Sequence, residues 1–145
     1  MLANKLIEYG FEVKMMHTLH IPIKNLKNPS FAVLSSLKGL FSRDSYDIVH
    51  AFNIPSAFAM RFAKGRKKVL SLHGVYSDQV KVLHSSIGRM ANTVESKILK
   101  WPDVLTTDSK ATQIEYKKKL GLDFEYLPSP LDPSKFTKIP EVEKV

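Results

Sequence analysis

No cysteine occurs among the 145 residues. That excludes a disulfide framework, a thiolate metal site and a cysteine nucleophile, and it agrees with a reducing compartment. No apolar run approaches the ~20 residues needed to cross a bilayer, and the opening Met1-Leu2-Ala3-Asn4-Lys5 has neither the apolar core nor the cleavage site of a secretory leader. The six glycines are scattered singly, so no glycine-rich loop is available to cradle phosphate. Acidic residues are outnumbered 14 to 22, a net charge of +8 and a pI of about 9.6. Such a balance favours anionic partners: phosphorylated ligands, acidic lipid headgroups or nucleic acid. Nucleic acid is the weakest of these. The aromatic residues are not interleaved with the basic ones, and no helix-turn-helix, zinc or RNP pattern is visible.

What is there is ordinary globular material, 43% hydrophobic and 25% charged, of a length for one domain that needs no covalent staple. Leu2, Leu6 and Ile7 recur at helical spacing before a C-capping Gly10. Phe11–Met16 reads as a strand, and Pro29-Ser30 opens a helix with Phe31, Leu34, Leu37 and Phe41 on one face. Further strands are expected at Tyr46–His50, Lys68–Leu72, Asp103–Thr106 and Phe124–Leu127. Helices are expected at Pro55–Ala63, about Ser85–Lys100, and Ser109–Leu120 with a cap at Gly121. The segment from Pro128 holds four of the eight prolines and reads as a linker.

Strands alternating with helices imply crossovers and a parallel sheet: an α/β, Rossmann-like architecture with helices on both faces. Ligands bind such sheets at the carboxyl ends of the strands. Four of the five histidines, His17, His20, His50 and His73, fall at or just after expected strand ends. No strand precedes the first helix, so the sheet is expected to lack its usual first strand, leaving neighbouring strand edges open to association.

Five blocks of the sequence then carry a resemblance. Ala3–Val13 is similar to an "LAxxLxxxGHxV" helix and strand, and Tyr46–Asn53 to "YDIVHAHN". Lys68–Tyr76 is similar to "KVVLTLHGxY", Asp103–Lys110 to "ADxVTxxSK", and Leu127–Phe136 to "IPNGVDxxKF". In this order they resemble the N-terminal, acceptor-side half of GT-B glycosyltransferases of the retaining, family-four type. The resemblance implies a partial Rossmann-like domain over residues 1–127. Residues 128–145 would lead toward a C-terminal domain that grips a nucleotide-sugar such as a UDP- or GDP-hexose. It further implies transfer of a sugar to a hydroxyl acceptor without a metal or other cofactor, by a half-enzyme inactive alone. Its partners would be the nucleotide-sugar, a glycan or lipid-linked acceptor, and the second GT-B domain in cis or as a separate chain. Its setting would be the cytoplasm or the cytoplasmic face of a membrane.

The resemblance places His73 near the reacting centre, where imidazole can donate a hydrogen bond or stabilise developing charge. A strand-end histidine can equally bond a nearby carbonyl. Substrate contacts are expected at His50, Asn53, Gly74, Tyr76 and Ser109. Two of these also have a plain structural reading: a turn at Gly74 and a helix N-cap at Ser109. Phe52 stands where the family often has a second histidine, which points to an apolar portion of the acceptor. Lys117-Lys118-Lys119 ends a helix and can simply meet its dipole, whereas the basic, amphipathic stretch Phe31–Arg43 can lie on an anionic membrane surface. The alternative to an enzyme is a non-catalytic α/β module that binds an anionic ligand or a partner protein.

Overall fold

The computed structural model describes residues 2–19, 21–23, 26–76 and 88–128. The chain divides into two units, one of which spans Met16–Pro128. The described part of the other is helix α1 (Leu2–Glu8) with the segment after it. The α1 helix closes as the sequence predicts. Gly10 takes φ 86°, its N–H donates to Ile7 O, and the Phe11 N–H donates to Leu6 O. This is the left-handed termination that glycine adopts without steric cost.

The unit Met16–Pro128 holds four strands: β1 (Ser45–Phe52), β2 (Lys64–Leu72), β3 (Val104–Thr107) and β4 (Glu125–Tyr126). They form one sheet in the order β1-β2-β3-β4, and every pairing is parallel. Helix α2 (Lys27–Phe41) leads into β1. The crossovers pass through α3 (Ile54–Phe62), α4 (Gly88–Ile98) and α5 (Lys110–Leu120). This is the α/β, Rossmann-like architecture that the alternation implies.

Local chemistry explains the helix ends. At α3, Asn53 adopts φ 80°, its side chain accepts from Ser56 N, and Pro55 occupies the first turn, where a missing N–H costs nothing. At α5, Ser109 accepts from Thr112 N, and Gly121 ends the helix at φ 67° with its N–H on Lys117 O. Below the sheet, Asp103 ties β2 to β3: its N–H donates to Lys68 O, and its carboxylate accepts from Lys68 N at 2.7 Å.

The core is the apolar end of β2 with what packs on it. Leu70, Ile54, Met60, Ile98 and Tyr116 are fully buried. Phe124 stacks on Tyr116 at 4.5 Å, and Trp101 meets Phe58 edge-on at 5.3 Å under the Arg61 guanidinium. Burial rises along β2 from its exposed basic start to its buried end.

One expected element is missing. Residues 11–19 form no strand, and among the described residues β1 is paired on one side only, by β2. Alternation of apolar residues at Phe11–Met16 satisfies the local requirement for a strand. A strand also needs a partner whose hydrogen bonds it shares, and the Phe11–Met16 segment pairs with none of the described strands. The β2 strand begins earlier than its apolar run, because Lys64–Lys67 continue the ladder against Ser45–Ile48. The linker expected from Pro128 and the residue His20 lie outside the described residues, apart from Pro128 itself.

Candidate functional site

Parallel register brings the ends of β1, β2 and β3 to one edge: Phe52 pairs with Ser71, Ser71 with Thr106, and Leu72 with Thr107. The residues just beyond, Asn53, His73-Gly74 and Asp108-Ser109, therefore come together without being close in sequence. Two hydrogen-bonded constellations organise this edge. His50 Nε2 lies 2.6 Å from Ser71 Oγ, and Ser71 Oγ lies 2.6 Å from Thr106 Oγ1, a polar thread across three strands. Burial holds the His50 imidazole below its ordinary pKa, so it is neutral near pH 7.

The second constellation is His73 Nδ1 with Asp108 Oδ2, 2.8 Å apart. An ionised carboxylate can only accept, so Nδ1 carries the proton and Nε2 is the ring atom left for a ligand. The His73 side chain is 56% exposed and Asp108 26%: the anchor is partly sheltered and the working ring is accessible. Phe52 joins the two constellations. Its ring stacks on His50 at 4.2 Å and lies nearly parallel to His73 at a centroid distance of 6.5 Å. The result is a polar edge carrying an aromatic platform.

A buried network holds the turn after His73. Gly74 has φ 153°, a backbone region that side chains disfavour. Next, the Tyr76 N–H donates to Glu95 Oε1 at 2.9 Å. Glu95 is buried, and its carboxylate also accepts from the Tyr116 hydroxyl at 2.5 Å. Burial and the adjacent Glu95 push the Tyr76 phenol above its usual pKa, so it stays protonated as a hydrogen-bond donor.

Of the residues that the sequence singles out, His50, His73 and Gly74 meet at this edge. Tyr76 follows in the anchored turn. Asn53 and Ser109 flank it as the N-caps of α3 and α5, with a side-chain oxygen of each engaged by backbone. His17 follows no strand, and its carbonyl accepts from Lys38 Nζ. Sequence reading missed Ser71, Thr106, Glu95 and the role of Asp108. Ser71 and Thr106 did leave a signal, as hydroxyls inside otherwise apolar strand runs. Among the described residues no three His, Asp or Glu side chains cluster as metal ligands would. The apolar groove between α2 and α3, about 240 Å³, is lined by other residues altogether.

No curated protein and no solved structure matches the chain. The sequence model of Glycosyltransferase Family 4 matches residues 3–135, a span that contains all four strands and every helix described above except the first residue of α1. With an all-parallel α/β sheet and a histidine-bearing edge at its strand ends, the chain belongs to Glycosyltransferase Family 4.

Proposed function

We propose that this chain supplies the acceptor-side wall of a sugar-transfer site, in which a hexosyl group passes from a nucleotide-sugar such as a UDP- or GDP-hexose to a hydroxyl, with retained configuration and without a metal. The observation that supports it most is the His73–Asp108 pair at the carboxyl end of β2. In the transfer, the bond from the anomeric carbon to the nucleoside diphosphate breaks and a bond to the acceptor oxygen forms, while the acceptor proton passes to the departing diphosphate. His73 meets this need through Nε2, which can hydrogen-bond the sugar and stabilise charge that develops there. Asp108 fixes the ring's tautomer and direction. Phe52, stacked beside both histidines, offers an apolar platform for one face of the acceptor.

In this reading His50 and Asn53 position acceptor or donor sugar, and Gly74, Tyr76 and Ser109 shape the pocket wall. A C-terminal GT-B domain, in cis or as a separate chain, grips the nucleotide. Transition-state binding is then divided between two halves, and residues 1–127 alone turn nothing over. The absence of cysteine accords with work in the cytoplasm.

The test is a sugar-release and binding assay with UDP-, GDP- and ADP-sugars, on this chain alone and together with a C-terminal GT-B domain. Turnover only in the combined protein is expected, falling about 10²–10³-fold in His73→Ala and less in Asp108→Asn. Turnover that is indifferent to His73→Ala removes the role given to His73. Absence of binding and turnover in both forms, with the fold intact, favours the non-catalytic module.

A further inference from the structure

Phe52 is a large apolar side chain that the core does not use. Its neighbours Ala51, Leu70 and Leu72 are buried with Ile54 and Met60 of α3. Side chains alternate along a strand, so His50 and Phe52 lie on the opposite face of β1. Ser71, the register partner of Phe52, shares that face and holds His50 Nε2. The Phe52 residue is 42% exposed. His50 covers one side of its ring at 4.2 Å, tilted by 28°, and the His73 ring lies within 6° of parallel to it. Both imidazoles are themselves held, one by Ser71 and the other by Asp108. An isolated exposed apolar residue needs no explanation. A phenyl ring set between two anchored imidazoles is different, because its orientation is fixed before anything binds.

The groups around the ring identify what it takes. They keep hydrogen-bonding capacity of both kinds. His73 Nε2 accepts, because Nδ1 carries the proton given to Asp108. The Asn53 side chain uses its oxygen on Ser56 N, which leaves its amide nitrogen to donate. Ser109 Oγ accepts from Thr112 N and keeps a hydroxyl proton to donate. An aliphatic chain laid on Phe52 would take water from these groups and give nothing back, which is costly. A pyranose answers both needs: its hydroxyls donate and accept, and its ring C–H groups make an apolar patch. The face of a phenyl ring is the negative part of its quadrupole. It therefore attracts polarised C–H groups and repels the lone pairs of an axial oxygen, so the ring discriminates between sugars by their stereochemistry.

We propose that Phe52 is the specificity-determining residue of the strand-end edge, selecting acceptor pyranosides that gather their ring hydrogens on one face, and that His50 is the positioning residue that holds its ring flat. The proposal rests on the sugar-transfer reading of this edge and adds which sugars the acceptor side admits.

The experiment is an NMR titration of the full chain with two probes. Methyl β-galactopyranoside gathers its ring hydrogens on one face, whereas methyl α-mannopyranoside carries axial oxygens on both. The galactoside is expected to bind about fivefold more tightly, with its ring hydrogens shifted upfield by the phenyl ring. Phe52→Leu keeps an apolar side chain without the π face and should abolish both the preference and the shift; Phe52→Tyr should keep them. His50→Gln leaves Ser71 a partner but removes the supporting ring. It should weaken the preference about twofold, a ratio that a loss of stability alone would not move. Phe52 is partly exposed, so circular dichroism should show its variants folded. Equal affinity for the two glycosides overturns the proposal, as does a preference that survives Phe52→Leu. In either case, a glycoside that still shifts the His73 imidazole signals leaves the sugar-transfer reading standing. If neither glycoside shifts His73 or Phe52, that reading falls together with the proposal. Octanol binding at Phe52 more tightly than the galactoside would assign the ring to an aliphatic chain and overturn the proposal as well.

Discussion

At the carboxyl ends of β1–β3, polar side chains are held by one another: His50 by Ser71, Ser71 by Thr106, His73 by Asp108. On the α2–α3 face the exposed side chains are apolar, and the polar and small ones, Ser35 and Gly39, are turned inward. Both regions look outward, yet they suit different kinds of contact. Hydrogen bonds are directional, so a pre-aligned histidine selects a ligand by the position of its atoms. Apolar burial has no direction, so a strip of leucine and phenylalanine selects a partner by polarity and extent. The same small unit thus carries one surface of directional, pre-aligned polar groups and another of non-directional apolar ones.

If that contrast is right, the largest effects come from removing what holds the polar edge in place. Glu95→Ala takes away the buried acceptor of both the Tyr76 N–H and the Tyr116 hydroxyl. The loss should be about 3 kcal/mol in a denaturant titration, since each partner loses a bond to a charged group and is left buried. Glu95→Gln, which keeps an accepting oxygen, should recover part of it. Amide exchange at Gly74–Tyr76 should quicken in the alanine variant; unchanged exchange would show that the turn is held by something other than Glu95. Next in size is Gly39→Val, which forces α2 off the Ala59 carbonyl at about 1–3 kcal/mol. Leu37→Glu on the opposite side of the same helix should stay within about 0.5 kcal/mol. A large cost for Leu37→Glu would mean that this face is buried in the free protein, and the contrast between the two regions would fail.

The parts of this architecture that are legible in the sequence rest on neighbours in the chain. Gly10 and Gly121 end helices, Ser109 and Pro55 start them, and the apolar runs at Tyr46–His50 and Lys68–Leu72 become paired strands. Each of these is decided within a few residues by backbone sterics or a cap. The strand expected at Phe11–Met16 fails because a ladder needs a partner that the local pattern does not name. Periodicity groups Leu34, Leu37 and Phe41 on one face of α2 correctly, but a period says only which residues share a face, not whether the face is inside. The close approach of Gly39 to α3 decides that, and it depends on a helix some twenty residues further on. At the site, the expectation of a parallel sheet is enough to put His50 and His73 at the same edge. The His73–Asp108 pair joins residues 35 positions apart, and the Glu95 network joins three elements. Neither has a local signature.

The smaller predictions probe the polar thread. Ser71→Ala removes the middle hydroxyl between His50 and Thr106 and should cost about 1 kcal/mol, the net worth of an ordinary buried hydrogen bond. The smallest effect is one of pH. Burial lowers the His50 pKa in the folded protein below the 6.5 of the unfolded chain. Between the two values the unfolded state binds more protons, so stability rises with pH through that window and is fully present above about pH 6.5. Acidification from pH 7 toward 5 should therefore lower the melting temperature, and His50→Gln should flatten this part of the profile. If the wild-type and His50→Gln slopes coincide, the fold leaves the His50 pKa where the unfolded chain has it, and burial at the polar thread does not disfavour its charged form.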